Sequence, residues 1–277
     1  KGRKQKTTAL YDRFVNQGAV MGDSFGLENV LWFANNKEDA HEEPTIKRSR
    51  SHDYVSKEVI NVRENVGLIE VANFSKHEFK GPDARKFLDH IMAGRLPKPG
   101  RISLSPMLSY RGKLCGDLTV ACLDEDEFMV FGSGAAQEMH RRWFESHLGK
   151  FNLNYTNRSD EFHGLSIAGP NSRKVLEKIV RDDVSNNKFK FRDSRKMFVG
   201  GVPAIINRIS FTGELGYEIY VAPHYQVKLY EELIEAGKEF NIKPFGGRAL
   251  MSMRLEKNWG AWTLDYRPDF TPKETGL

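Results

Sequence analysis

Two carboxylates occupy unusual places in this sequence. Asp117 lies inside Leu114-Cys115-Gly116-Asp117-Leu118-Thr119-Val120, a run that reads as a β-strand, where aspartate is disfavoured. Alternation puts Cys115, Asp117 and Thr119 on one face. An acid preceded by glycine and framed by apolar neighbours has restricted solvation, so its pKa can be tuned and its carboxyl held near a ligand. An exposed edge-strand aspartate, or a bulge at Gly116, accounts for the same residues. Glu214 sits in Phe211-Thr212-Gly213-Glu214-Leu215-Gly216-Tyr217-Glu218. Gly213 and Gly216 let the backbone bend there and let a flat ligand come close. A carboxylate in that turn can accept two parallel hydrogen bonds from an amino-pyrimidinone edge, as it does from an arginine fork; a solvated glutamate in an ordinary hairpin is the alternative. Arg248 follows Phe245-Gly246-Gly247 at a helix start, where the dipole disfavours a cation. Either an external anion or an ion pair with Glu256 or another acid would explain it. Tyr110, Trp259 and Trp262 can stack on a ring or simply pack in a core.

Other chemistry is not written here. The sequence has no G-x-G-x-x-G after a strand, no G-x-x-x-x-G-K-[ST] and no H-E-x-x-H, so dinucleotide, P-loop and zincin sites are not expected. The eight histidines show no metal-ligand spacing, and no metal site is expected. Cys115 and Cys122 are two thiols among apolar neighbours, which reads as inert and suits a reducing compartment.

The elements that must position these residues follow from periodicity. Val55, Val59, Val62 and Val66 recur at helical spacing before Gly67, and Leu68-Ile69-Glu70-Val71 reads as a strand. A second strand, His77–Lys80, closes at Gly81-Pro82, and Asp83 caps a helix carrying Phe87, Leu88 and Ile91. Strands follow over 100–109, 114–123 and 128–131, turning at Tyr110-Arg111-Gly112-Lys113 and Asp124–Glu127, then a helix over 135–148 with Met139, Trp143, Phe144 and Leu148 on one side. Gly164–Ala168 ends at Gly169-Pro170, and Asn171-Ser172 opens another helix, so the Gly81 and Gly169 turns hold equivalent places. Residues 188–199 read as irregular, 202–210 and 216–221 as a hairpin, and 226–240 and 248–257 as helices. Residues 1–34 contain a helical start, and 35–50 read as an exposed, solvated loop. Antiparallel hairpins with intervening helices give an α+β class. The expected organisation is an opening segment with its loop over 1–53, a first α+β unit over 54–160 and a second over 161–277.

The 277 residues are 39% apolar, enough for a sizeable core. No apolar run approaches the roughly 18–20 residues of a membrane span, so no membrane partner is expected. A net charge of +5 permits an anionic ligand without demanding nucleic acid, which is not expected as a partner.

Taken together, the segments resemble one family. Gly112 to Val120 has the pattern of the strand that carries the essential aspartate of aminomethyltransferases, the T-proteins of the glycine cleavage system. Phe211 to Glu218 is similar to that family's Thr-Gly-Glu-x-Gly signature. Arg248-Ala249-Leu250, Arg254-Leu255-Glu256-Lys257 and Thr271-Pro272-x-Glu274-x-Gly276-Leu277 resemble its later segments, and Val62–Leu68 and Gly81–Ala84 also fit. Tyr11-Asp12-Arg13, Gly18–Gly22 and Trp32-Phe33-Ala34 resemble the branch fused behind flavin amine dehydrogenases, the dimethylglycine and sarcosine dehydrogenases. The resemblance implies two antiparallel-sheet-plus-helix units of the folate-binding fold, with the family's C-terminal barrel expected to begin where Leu277 falls and so to be missing. It implies tetrahydrofolate as cofactor, with FAD only in a flavin dehydrogenase domain of the parent chain. Asp117 would be catalytic, assisting proton movement; Glu214, Gly213 and Tyr217 would bind the pterin, Arg248 the glutamate tail, and Tyr110 would wall the site. The implied enzyme captures an imine-derived carbon from an amine substrate as 5,10-methylenetetrahydrofolate, in a bacterial cytoplasm or mitochondrial matrix. A demethylase giving 5-methyltetrahydrofolate and a non-catalytic folate-binding module are the alternatives. Phe211 replaces a common tyrosine, and Ser109–Lys113 gives the cleft rim a more basic turn than the family pattern.

Overall fold

Most segments marked by alternation or by three-and-four spacing become strands and helices where the sequence places them. In the computed structural model, which describes residues 2–262 and 264–277, the chain runs α1 (Tyr11–Asn16), β1 (Ala19–Ser24), β2 (Leu27–Phe33), α2 (Ser51–Glu64), β3 (Val66–Glu70), β4 (Phe74–Lys80) and α3 (Ala84–Ile91). Next come β5 (Arg101–Leu108), β6 (Leu114–Asp124), β7 (Glu127–Ser133), α4 (Gln137–Leu148), β8 (Asn154–Asn157), β9 (His163–Ala168) and α5 (Ser172–Glu177). The chain ends with β10 (Ser194–Val199), β11 (Val202–Asn207), β12 (Gly216–Val221), α6 (Gln226–Gly237), β13 (Ile242–Pro244), α7 (Gly247–Glu256) and α8 (Pro272–Thr275). No described helix is long and apolar enough to cross a membrane.

These elements gather into two compact units that interleave along the chain. The first takes the residues up to Ala72, His163–Phe191 and Met197–Asn258; the second takes Asn73–Phe162, Arg192–Lys196 and Trp259–Leu277. This differs from the expected consecutive division at 53 and 160. The opening segment does not stand apart, because Leu10 and Phe14 are buried in the core of the first unit. Phe14 meets Phe33 and Tyr230 edge-on, at 5.9 and 5.6 Å between ring centroids.

The first unit is built on a sheet of order β10-β11-β12-β9-β3-β13. Every residue of the central β12 is buried, as a strand covered on both faces requires. β3 pairs antiparallel with β9 and parallel with β13. β1 and β2 form a separate hairpin, unforeseen in the sequence. Its two-residue turn has positive φ at both Phe25 (53°) and Gly26 (90°), the twist-compatible geometry of tight hairpins. The stretch expected to be irregular contains β10, which buries Ser194, Met197 and Val199 behind charged neighbours.

The second unit is an antiparallel sheet of order β5-β6-β7-β4-β8. Phe79, Val120, Phe128 and Val130 pack there with Phe87 and Leu88 of α3 and Phe144 of α4. The inner face of α4 departs from expectation: Met139 is exposed, and the fully buried polar residue is its neighbour His140. The Gly-Pro turns do correspond. Gly81 and Gly169 hold φ of 137° and 131°, and each carbonyl accepts from the N–H three residues on, Ala84 or Ser172. Asp83 precedes α3 but does not cap it; its carboxylate accepts from Lys86 and from the Asn152 N–H instead.

Candidate functional site

Asp117 occupies the half-exposed face of β6 with Cys115 and Thr119, while Leu114, Leu118 and Val120 face the core. Opposite it stands Pro106, which has no N–H to donate and whose carbonyl accepts from Ala93. The ladder from β7 reaches only Thr119. The Asp117 carboxyl therefore meets one donor, its own backbone N–H, and no cation among the described residues. Its side chain keeps some accessible surface, but the carboxyl lies deep among protein atoms. Burial pushes it from the ordinary 3.8 up to about 7, against that single hydrogen bond.

Glu58 of α2 is a second buried acid. Desolvation raises it from 4.5 to about 7, opposed by the Gly246 and Phe33 N–H groups it accepts from. Each acid holds its proton in the native state over a range where the unfolded chain has lost it. Their contribution to stability is thus complete below about pH 4 and is lost as pH rises toward 7, at about 1.4 kcal/mol per pH unit for each group. Urea unfolding between pH 5 and 7 should show this decline, and Asp117→Asn should reduce it by about half, Glu58 keeping the rest; an unchanged slope in the variant would count against a protonated Asp117.

Glu214 lies in the first unit, in the loop joining β11 to β12. The loop is tied by its own hydroxyls: Thr212 Oγ1 accepts from the Glu214 N–H at 3.2 Å and lies 2.7 Å from Ser210 Oγ. Gly213 turns it at φ 85° and is exposed. Oε1 of Glu214 pairs with Arg63, whose guanidinium also reaches Glu256 Oε2 at 2.6 Å. The other Glu214 oxygen has no hydrogen-bond partner among the described residues. The sequence alone does not mark Arg63 as a site residue. Its signal was a cation in the last turn of a helix, where the dipole favours it.

Arg248 is held by Glu42 and donates to Ser51 Oγ at 2.9 Å. An ion pair therefore accounts for it, although the partner is Glu42 and not Glu256. Glu42 also accepts from Trp32 Nε1 at 2.7 Å, so the 35–50 loop, exposed along most of its length as expected, is fastened to the first unit at that residue. Ser51 and Arg248 begin α2 and α7, while Arg63 and Glu256 lie at their ends. The two helices run side by side in one direction, and Arg248 stands about 12 Å along α7 from the Glu214 end. Tyr217 is fully buried, stacked on Phe189 with its hydroxyl accepting from Arg173 Nε at 3.1 Å; its side chain belongs to the core. Tyr110, in the second unit, is 87% exposed in the β5–β6 turn, with the Arg111 guanidinium 5.5 Å from its ring centroid. Trp262 is buried, its ring centroid 5.6 Å from that of His140.

The chain belongs to the GCVT N-terminal domain family, whose model matches residues 10–277. It is 35% identical over 276 residues to mitochondrial dimethylglycine dehydrogenase of Mus musculus, covering 99% of this chain and 32% of that protein. To the aminomethyltransferase of Thermoanaerobacter pseudethanolicus it is 31% identical over 219 residues, covering 78% of this chain and 59% of that one. The fold matches the crystal structure of glycine cleavage system aminomethyltransferase T from Bartonella henselae with a TM-score of 0.81, at 24% identity, over 97% of this chain and 67% of that one. This chain thus spans about a third of the length of the mouse dehydrogenase.

Proposed function

We propose that this chain is the tetrahydrofolate-dependent one-carbon transfer domain of an enzyme similar to dimethylglycine or sarcosine dehydrogenase. In this reading a flavin domain oxidises an N-methyl group to an imine, and this domain captures the carbon as 5,10-methylenetetrahydrofolate, in a mitochondrial matrix or bacterial cytoplasm. The observation that carries the reading is Asp117, a buried carboxyl in a strand, free of any described cation and poised near 7. Capture of an imine carbon by an amine nitrogen releases a proton, and departure of the parent amine takes one up. A carboxyl with its midpoint near neutral pH both accepts and returns that proton without a large penalty in either direction. Tetrahydrofolate, when bound, supplies the nucleophilic nitrogens that accept the carbon.

The residues present fit that group. Glu214 keeps one oxygen for a pterin donor while Arg63 fixes the other, so the carboxylate is held before the ligand arrives. Arg248, on the same helix pair, would meet the tail carboxylates by exchanging Glu42 for the ligand.

Tetrahydrofolate titrated into the chain, followed by pterin fluorescence, should bind. Glu214→Ala should weaken it on the order of 10- to 100-fold, the value of a hydrogen bond to a charged group. Equal affinity in the variant would remove Glu214 from the site, and no binding by either protein would sink the folate reading.

A further inference from the structure

β6 carries a β-bulge two residues before Asp117. Leu108 faces Leu114 and Met107 faces Gly116, so Cys115 is one residue too many for the ladder. A bulge frees a backbone group from the ladder and re-aims the side chains that follow. Here the carbonyl of Cys115 accepts a hydrogen bond from Nε2 of His140, at 3.0 Å. His140 comes from the first turn of α4 and is 1% exposed. Because a carbonyl can only accept, Nε2 carries the proton. Burial disfavours the imidazolium, so the ring is neutral with Nδ1 bare.

The ring sits in a slot that two glycines leave open. A Cβ on Gly116 would lie 2.8 Å from Nε2, and one on Gly132 of β7 would lie 3.1 Å from Nδ1. Trp262 and His77 flank it, at 5.6 and 6.3 Å between ring centroids. For packing alone a histidine is a poor occupant. Nδ1 of His140 has no hydrogen-bond partner among the described residues, a burial penalty that leucine or phenylalanine would avoid. Among the described residues its one hydrogen bond is to the Cys115 carbonyl.

We infer that His140 is a positioning residue for Asp117: by taking the bulge carbonyl of Cys115 it fixes the direction in which β6 presents the Asp117 carboxyl. The inference rests on the one-carbon transfer reading for its catalytic consequence, and on geometry alone for its structural one. His140 itself moves no proton in the reaction.

The test compares the full chain with His140→Phe, which keeps a ring of similar size but donates nothing, and His140→Gln, which restores an N–H donor. With an imine donor and tetrahydrofolate, kcat should fall on the order of 10- to 100-fold in the Phe variant, with KM for tetrahydrofolate within about twofold of wild type. The Gln variant should recover part of the loss, which a purely packing role would not allow. Without ligand, the carbon-13 carboxyl resonance of Asp117 should titrate with a midpoint displaced by about half a pH unit or more in the Phe variant. Should the Phe variant fail to fold, Gly116→Ala, whose added Cβ would stand 2.8 Å from Nε2 of His140, displaces the donor and should give the same pair of changes. If the wild-type chain is active, unaltered kcat overturns the inference. If it makes no product, the folate reading fails by itself, and an unmoved Asp117 midpoint overturns the role of His140.

Discussion

Asp117→Asn should leave tetrahydrofolate bound and lower turnover on the order of 10²–10⁴-fold, the contribution expected of a positioned acid–base group. The carboxamide has the shape of the acid and can still accept the one hydrogen bond that the carboxyl receives, from its own N–H. The strand therefore has no reason to move. What is lost is exchange of a proton at neutral pH, since an amide neither takes nor gives one there. Stability should change the other way. At pH 7 and above the native chain must either ionise a desolvated carboxyl or hold its proton against the solution, whereas asparagine is neutral at no cost. The variant should therefore unfold at higher urea than wild type at pH 8 and near the same urea at pH 4. A gain in stability with a loss of activity separates a functional buried acid from a structural one. Product analysis under single-turnover conditions and urea midpoints at the two pH values are the measurements. Undiminished turnover would take Asp117 out of the mechanism.

The sequence was most legible where local pattern and final environment agree. The alternation around Asp117 survives in the structure because the core face of β6 is apolar at Leu114, Leu118 and Val120. The bulge that the sequence offers as one alternative at Gly116 falls instead at Cys115, because a bulge is defined by what stands opposite. The hairpin of β1 and β2 was hidden by Phe25, since a bulky residue at positive φ carries no turn signal. β10 shows no clean alternation in the sequence, because the adjacent Arg195 and Lys196 separate buried Ser194 from buried Met197. Hydrophobicity ranks Met139 above His140 for the inner face of α4, while the slot that selects an imidazole is cut by two glycines from other strands. The ion pairs were the least legible of all. Arg63 is 151 positions from Glu214 and Arg248 is 206 from Glu42, and residue type alone does not choose among distant partners.

Glu58→Ala should cost about 2–5 kcal/mol, the largest stability loss expected from any single substitution considered for this chain. Glu58 stands on the inner stripe of α2 between Val55 and Val62 and accepts from the Phe33 N–H at 2.8 Å and the Gly246 N–H at 2.9 Å. Truncation leaves two donors without a partner, at about 1–3 kcal/mol each. The penalty should shrink as pH rises, since wild type loses the contribution of this acid toward pH 7 and the alanine variant has none to lose. Glu58→Gln, with one acceptor oxygen, should fall between the two. The loss should also reach the ligand. Gly246 leads into α7, whose last residue Glu256 braces Arg63, and Arg63 holds Glu214. One side chain of α2 thus sets the start of α7 while another grips its end, so loosening the first changes what the second holds. Tetrahydrofolate affinity should therefore fall in Glu58→Ala by a smaller factor than in Glu214→Ala, measured at a temperature where the variant is fully folded. A variant with unchanged affinity would show that the start of α7 is not coupled to the Glu214 turn.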